Sequence, residues 1–152
     1  MPWQGSKIVI GDGPERARCQ AQFPQATYAG YRFGEDLAAH LAAADVLVFP
    51  SLTDTFGLVN LEAMACGVPV AAYPVTGPID VVEDGVTGAL DKDLAAAAVR
   101  ALRVDPRACR EAALRSSWDA CTREFESNLV AVKAAAGAVG RRRRVAVDGV
   151  AN

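Results

Sequence analysis

The chain has 152 residues, which is enough for one domain of ordinary size with a single buried core. Its composition is 51% hydrophobic and 22% charged with a formal net charge of -2, which excludes a disordered chain and gives no indication of nucleic-acid binding. No apolar run approaches the length of a membrane helix, and the first residues lack the regions of a signal peptide. A cytoplasmic location is therefore expected.

The cysteines are widely spread and form no Cys-x-x-Cys pair, so neither a disulfide framework nor a metal site is indicated. They are Cys19, Cys66, Cys109 and Cys121. We expect reduced thiols, with Cys66 packed in the core.

Short apolar runs alternate with helical patterns from residue 7 onward, which is typical of an α/β fold with a parallel sheet covered by helices. Strands are predicted at residues 7–10, 27–30, 46–49 and 70–73, and a short one at 88–90. Helices are predicted at residues 14–22, 37–44 and 58–66, with one or two turns at 78–83. Beyond residue 90 the pattern favours helix alone, at 93–104, 106–118 and 119–136.

These patterns divide the chain into an α/β domain at residues 1–118, a C-terminal helical arm at 119–136 and a tail at 137–152 that is expected to be disordered. The tail contains four consecutive arginines, residues 141–144. They suit a contact with anionic lipid or another polyanion, and they equally suit a solvated chain end, which the weak flanking sequence favours.

The most informative segment spans residues 50–78, where a predicted strand ends and Phe56 and Gly57 lead into a helix. A helix that begins at the carboxyl end of a parallel strand presents unpaired N–H groups and the positive end of its dipole, which suits a phosphate. Glycine at position 57 allows close approach of the backbone. The segment therefore predicts an anion-binding turn just before Leu58.

Two carboxylates accompany this turn. Glu62 lies four residues beyond Leu58 on the same helical face, where it can accept hydrogen bonds from a vicinal diol such as a ribose. Asp54 lies on the preceding loop and faces the same crevice. Taken singly, Asp54 suits a helix cap and Glu62 an ordinary exposed position. The combination favours recognition of a sugar nucleotide.

The residues DTFG at 54–57 and LEAMACGVPV at 61–70 resemble the donor-binding signature of retaining GT-B glycosyltransferases of the large family four. That signature has two acids separated by seven residues, with Phe-Gly after the first acid. Similar flanking motifs are IVIGDGPE at 8–15, the stretch at 27–51 and TGPIDVVEDGVTGAL at 76–90. The resemblance covers about residues 7–118, and more weakly 121–129.

The resemblance implies roles for individual residues. Glu62 is expected to contact the ribose of the donor and Asp54 the hydroxyls of the transferred sugar, so these two are the catalytic candidates. Backbone groups of Phe56, Gly57 and Leu58 are expected to meet the sugar and phosphates.

Further donor contacts are implied at Gly11, in the glycine-rich turn, and at Tyr31 and Arg32, where the nucleotide base is usually held. No metal and no cofactor beyond the nucleotide-sugar substrate is implied. The sequence departs from the family pattern at Asp54, where Glu is usual, at Gly77-Pro78, where Gly-Gly is more frequent, and at Asp80, where Glu is common. These departures indicate a subfamily.

The fold implied is the Rossmann-like, C-terminal half of a GT-B enzyme, truncated at its N-terminus. The function implied is to bind the donor in a retaining hexosyltransferase that uses a GDP- or UDP-sugar and a lipid or saccharide acceptor. The overall sequence pattern is similar to that of bacterial GDP-mannose-dependent α-mannosyltransferases. The acceptor domain and the first strand-helix unit, with its Arg and Lys that neutralise the pyrophosphate, are not in this sequence. We therefore expect the isolated chain to be inactive, and to need that domain or a partner chain for sugar transfer. We also expect the chain to self-associate through exposed sheet edges. Peripheral contact with the inner face of the membrane stays open.

Three other interpretations were weighed. A nicotinamide-binding Rossmann domain is disfavoured because Arg16 occupies the position of the third glycine in GDGPER and Tyr31 the place of the usual acid. A sugar-nucleotide epimerase of the same architecture needs catalytic groups from two domains, and His40 is the single histidine, expected to be an ordinary surface or packing residue. A non-catalytic remnant or binding module of the same fold stays open.

Overall fold

The computed structural model describes residues 5–129, in which short strands alternate with helices. The strands are β1 (Ile8–Ile10), β2 (Thr27–Gly30), β3 (Leu47–Phe49), β4 (Val70–Ala72) and β5 (Gly88–Leu90). The helices are α1 (Arg16–Gln22), α2 (Gly34–Ala42), α3 (Leu58–Ala65), α4 (Pro78–Val81), α5 (Leu94–Ala101), α6 (Pro106–Arg115) and α7 (Trp118–Ser127). The order of elements is the predicted one, and the α/β prediction is confirmed.

All the strand pairs within residues 5–129 are parallel, but they form two separate sheets. One sheet has the order β1-β2, and the other has the order β3-β4-β5. Parallel strands place their carboxyl ends at one edge of a sheet, so the loops that follow β3 and β4 emerge side by side. This arrangement brings residues 50–57 next to residues 73–77.

The core is centred on β4, whose three residues are completely buried. On one side β4 meets a cluster that includes Leu41, Met64 and Cys109. On the other side the small side chains of β4 and β5 pack against the alanine-rich face of α5. Because alanine leaves little volume between helix and sheet, α5 can lie close to both strands.

Side chains fix the starts of the last three helices. Asp93 accepts hydrogen bonds from the N–H groups at the start of α5, Asp105 does so for α6 and Ser117 for α7. Such caps satisfy amides that have no partner within the helix. Helix α7 has no buried residue, which is compatible with the expected helical arm at 119–136. The boundary at residue 118 stays a prediction, and residues 130–152, including the four arginines, lie outside the described residues.

The turn between α4 and β5 is held by Asp84. Its Oδ1 accepts a hydrogen bond from the N–H of Leu90 at 2.9 Å. Nη2 of Arg100, in α5, donates to Oδ1 and Oδ2 of the same carboxylate at 2.7 and 2.8 Å. The Leu90 N–H, and after it the Arg100 guanidinium, hold the pKa of Asp84 below its ordinary value of 3.8. The turn is thereby tied to the helix that covers β5.

The four cysteines are free thiols. Cys66 is half-buried and packs against the core, as expected, while Cys109 is the completely buried one. Burial raises the pKa of the Cys109 thiol above its ordinary value. Among the helices within residues 5–129, none has both the length and the apolar character needed to cross a membrane.

At Gly88, in β5, the neighbouring backbone of β4 leaves no room for a side chain. A Cβ at this position would lie 2.1 Å from the carbonyl oxygen of Val70 and 2.8 Å from Cγ1 of Val82. We expect Gly88→Ala to lower the free energy of unfolding by about 2 kcal/mol or more, because β4 or β5 must shift to relieve the overlap. Urea denaturation monitored by circular dichroism measures the change.

Gly13→Ala is the matched control, because a Cβ there meets nothing within 4 Å. It is expected to change the free energy of unfolding by less than about 0.5 kcal/mol. Equal stabilities for the two variants would contradict the close packing of β5 on β4.

Candidate functional site

The turn between β3 and α3 is built around Gly57, the N-cap of α3, which adopts the left-handed conformation with φ of 78°. A Cβ at this position would lie 2.5 Å from Nδ2 of Asn60 and 3.6 Å from the ring of Phe49. Both the dihedral angle and the space therefore require glycine. The turn lets the loop of residues 50–57, which follows β3, lead straight into α3 at Leu58.

The N-terminus of α3 carries no side-chain cap. Within residues 5–129 the N–H groups of Leu58 and Val59 donate no hydrogen bond, whereas the N–H of Asn60 bonds to the carbonyl oxygen of Gly57 at 2.9 Å. Helices α5, α6 and α7 are capped by Asp or Ser. The start of α3 is thus left open to an anion, with the positive end of the helix dipole behind it.

Asp54 lies on the loop before this helix and is half-buried. Its Oδ1 accepts the N–H of Phe56 at 3.0 Å, so the side chain closes the turn in front of the helix and does not cap the helix itself. Gly77, in the loop after β4, fits closely against this turn, because a Cβ there would lie 3.0 Å from the carbonyl oxygen of Asp54. Oδ2 of Asp54 has no hydrogen-bond partner in the described part of the chain.

Glu62 lies in the second turn of α3 and is exposed. It follows Leu58 by four residues, which places it on the same helical face and about 6 Å along the helix axis. Among residues 5–129 its carboxylate makes no hydrogen bond or ion pair. The carboxylate is therefore available to a ligand lying along this face.

The remaining predicted residues lie together at the carboxyl ends of β1 and β2. The N–H of Gly11 donates to the carbonyl oxygen of Gly30 at 2.8 Å. The hydroxyl of Tyr31 donates to the carbonyl oxygen of Asp12 at 3.1 Å, so the loops after the two strands are joined. Arg32 forms an ion pair with Asp36 at 3.4 Å. Within residues 5–129 no hydrogen bond or ion pair joins this group to the turn before α3.

Asn60 was not predicted as a site residue. Its side chain is completely buried beneath Gly57, and neither its Oδ1 nor its Nδ2 has a hydrogen-bond partner in the described part of the chain. A polar side chain in the otherwise apolar run LVNLEAMA was the available signal. Asn60 forms the floor of the turn.

A separate cleft of about 180 Å³ lies between α3, α4 and α6. Phe56 of the turn lines one side of it, but Asp54 and Glu62 do not, so the two predicted carboxylates lie outside this cleft. Within residues 5–129 no three histidine, cysteine, aspartate or glutamate side chains gather where a metal ion could be held. His40 lies in α2, where its Nδ1 contacts the Asp36 carbonyl oxygen at 2.7 Å.

Comparison with known proteins agrees with this architecture. HepE of Anabaena, solved in complex with UDP-glucose, is similar to this chain with a TM-score of 0.65 and 24% identity, over 84% of this chain and 42% of HepE. The open parallel α/β arrangement is that of a GT-B glycosyltransferase fold.

The family model described as glycosyl transferases group 1 matches residues 6–104, and the chain belongs to this family. It is 41% identical over 83 residues to a GDP-mannose-dependent alpha-mannosyltransferase of Mycobacterium tuberculosis, covering 55% of this chain and 22% of that protein. It is 42% identical over 123 residues to a D-inositol 3-phosphate glycosyltransferase of Geodermatophilus obscurus, covering 76% and 27%. The chain thus spans less than a third of either relative.

The Gly57 turn gives a prediction that separates backbone strain from side-chain contact. Gly57→Ala places a Cβ in a left-handed residue and against Asn60, whereas Gly34→Ala, at φ of 53°, places one in open space. Each substitution should lower the free energy of unfolding by about 1 to 2 kcal/mol, because alanine must adopt the left-handed conformation. We expect Gly57→Ala to cost at least about 1 kcal/mol more in thermal or urea unfolding, because Asn60 must also move.

The double variant Gly57→Ala/Asn60→Ala tests the contact directly. Measured against Asn60→Ala alone, the cost of Gly57→Ala should fall to that of Gly34→Ala. An unchanged cost would show that Asn60 does not support the turn.

Proposed function

We propose that this chain is the nucleotide-sugar-binding part of a retaining glycosyltransferase, which transfers a hexose from a nucleoside-diphosphate sugar to a lipid or saccharide acceptor. The observation that carries the proposal is the open start of α3, where the N–H groups of Leu58 and Val59 have no hydrogen-bond partner within residues 5–129. The chain belongs to a family described as glycosyl transferases, which agrees with a sugar donor as the ligand. The diphosphate takes these N–H groups as donors. The rest of the donor extends from this point in two directions.

Glu62 binds the ribose of the donor. Its carboxylate is one helical turn beyond the start of α3 and without a partner in residues 5–129, so it can accept both hydroxyls of a vicinal diol. Asp54 takes the transferred sugar through Oδ2, while Oδ1 remains on the N–H of Phe56. These assignments place the transferred sugar beside the loop before α3 and the ribose beside the second turn of the helix.

The base is expected near Tyr31 and Arg32, with Gly11 in the adjoining turn. Tyr31 is 62% exposed and stacks on Phe33 with ring centroids 5.9 Å apart, which offers a base an aromatic surface. The M. tuberculosis relative is named for GDP-mannose, and HepE was solved with UDP-glucose. GDP and UDP are therefore both candidate nucleotides of the donor.

The predicted site residues of this chain neutralise little of the negative charge of a bound diphosphate. The predicted site residues include one cation, Arg32, and it is paired with Asp36. The helix dipole contributes about half an elementary charge, far less than a diphosphate requires. Tight binding and transfer accordingly need cations from the acceptor domain or a partner chain.

A titration tests the two carboxylate roles. Calorimetry of the full chain with GDP, UDP, GDP-mannose and UDP-glucose should show weak binding of one diphosphate and its sugar conjugate, either GDP with GDP-mannose or UDP with UDP-glucose. Glu62→Ala should weaken that binding about 10- to 100-fold, because it removes two charge-assisted hydrogen bonds to the ribose. Asp54→Asn, which keeps Oδ1 for Phe56, should weaken binding of the sugar nucleotide and leave that of the diphosphate unchanged.

Glu111→Ala is the control, since Glu111 is an exposed glutamate on α6 that makes no hydrogen bond or ion pair within residues 5–129 and is not a predicted site residue. It should leave every affinity unchanged. If Glu62→Ala behaves like Glu111→Ala, the ribose assignment fails. If none of the four ligands binds, the non-catalytic interpretation of the fold replaces the proposal.

We further expect the isolated chain to transfer no sugar. Release of GDP or UDP from the corresponding donor, in the presence of D-inositol 3-phosphate, for which a relative is named, or of a lipid acceptor extract, should stay at the rate of the buffer control. The physical reason is the missing cationic wall opposite α3. Turnover by this chain alone that is lost in Asp54→Asn would contradict the expectation.

A further inference from the structure

Asn60 is a buried polar residue whose side chain forms no hydrogen bond in the described part of the chain. It is 0% exposed, and both Oδ1 and Nδ2 lack a partner there. Ala63 and Met64, the other buried residues of α3, are apolar. A buried carboxamide nearly always forms hydrogen bonds, because the loss of water without a replacement partner costs free energy. An unpaired carboxamide beside a candidate binding site therefore indicates a hydrogen bond that forms when the site is occupied.

The carboxamide is directed at the turn in front of α3. Its Nδ2 lies 2.5 Å from the position that a Cβ of Gly57 would take, so it contacts the side of Gly57 on which other residues carry a side chain. The ring of Phe49 lies 3.6 Å from the same position and closes the space beneath the turn. The carboxamide thus lies directly under the backbone that joins the loop to the helix.

The peptide group between Phe56 and Gly57 also has no hydrogen bond within residues 5–129. The carbonyl oxygen of Phe56 accepts none, and the N–H of Gly57 donates none. The following carbonyl oxygen, that of Gly57, already accepts the N–H of Asn60 at 2.9 Å. The Phe56–Gly57 peptide can therefore rotate without breaking a hydrogen bond, and glycine permits the change of dihedral angle that the rotation needs.

The loop before the helix does not prevent this rotation. Within residues 5–129, the main chain of residues 51–57 donates one hydrogen bond, from the N–H of Phe56 to Oδ1 of Asp54. That N–H belongs to the preceding peptide group, so its bond is kept when the Phe56–Gly57 peptide rotates. The contact between Asp54 and the turn is the same in both orientations.

We infer that Asn60 is a positioning residue of the donor site, whose Nδ2 donates to the carbonyl oxygen of Phe56 when a diphosphate binds. The inference rests on the proposed function. In a trans peptide the C=O and N–H groups point in opposite directions. When the Phe56 carbonyl points inward to the carboxamide, the N–H of Gly57 points outward and joins those of Leu58 and Val59 as a donor to the anion. The buried hydrogen bond and the bond to the phosphate thus form together.

This role has a signature that a packing role lacks. The carboxamide is unpaired in the free chain and paired in the complex, so its hydrogen bond stabilises only the bound state. Leucine has the same branched shape and no polar atoms, and it can pair in neither state. Replacing Asn60 with leucine should therefore weaken binding without lowering stability.

Asn60→Leu tests this signature. Calorimetry with whichever of GDP and UDP binds the original full chain should show an affinity about tenfold weaker, which corresponds to the loss of one hydrogen bond. The melting temperature should stay the same or rise by a few degrees, because the free chain no longer buries an unpaired carboxamide.

Thr87→Val is the matched control. Thr87 is equally buried, but its Oγ1 accepts the N–H of Glu83 at 2.9 Å, and it is not a predicted site residue. Its replacement leaves that N–H without an acceptor, so the melting temperature should fall while the affinity for the diphosphate stays unchanged. The two variants should therefore respond in opposite ways in both measurements.

A second measurement uses the original chain and needs no variant. In a nitrogen-labelled sample the two Nδ2 protons of Asn60 give their own signals in the magnetic resonance spectrum. Saturating diphosphate should shift one of them downfield and slow its exchange with water, because one proton enters a hydrogen bond. The side-chain signals of Asn128, at the end of α7, should not change.

Three results would overturn the inference while leaving the proposed function in place. They are an unchanged affinity in Asn60→Leu, a parallel fall of affinity and melting temperature in that variant, and Nδ2 signals that do not respond while the original chain binds the diphosphate. If Asn60→Leu does not fold, the Nδ2 signals decide. If the original chain binds neither GDP nor UDP, the proposed function fails, and this inference fails with it.

Discussion

The constraint on which the proposed site depends is the left-handed turn at Gly57. With φ of 78° and the Asn60 amide directly beneath it, this position turns the loop that follows β3 into α3 without a side-chain cap. The unpaired N–H groups at the start of α3 and the position of Glu62 one turn later both follow from where the helix begins. Helices α1 and α2, which also follow parallel strands, likewise lack a side-chain cap, whereas α5, α6 and α7 are capped by Asp or Ser. What distinguishes the start of α3 is the left-handed Gly57 before it and the carboxylate of Glu62 one turn later.

Much of the fold could be predicted from local sequence. The strands at 27–30 and 88–90 were predicted at their observed bounds, since short apolar runs between turn residues are a local signal. Helix α2 begins at Gly34, three residues before its predicted start, because its first turn contains Gly34, Glu35 and Asp36, and its apolar pattern begins only at Leu37. Sequence patterns locate the ends of helices less well than their interiors, which explains the three-residue difference at the start of α2.

Long-range features could not be predicted in the same way. The split into two sheets depends on which strands pair, and pairing partners leave no local mark in the sequence. The burial of Asn60 beneath Gly57 depends equally on the packing of α3 against β3. For the site, the resemblance to the family supplied the roles of Asp54 and Glu62, while the structure added that Oδ1 of Asp54 accepts a hydrogen bond from the N–H of Phe56. The roles themselves stay predictions.

The measurement that tests the account most directly is chemical-shift mapping of the isotope-labelled chain on addition of GDP and then UDP. The account predicts that the largest changes fall on the backbone amides of residues 56–59, followed by Glu62, because the diphosphate bonds to the start of α3. The amides of α5 and α6 should stay unchanged. Changes centred on the cleft near Arg115, with the amides of residues 56–59 unaffected by either nucleotide, would contradict the assignment of the donor to this turn.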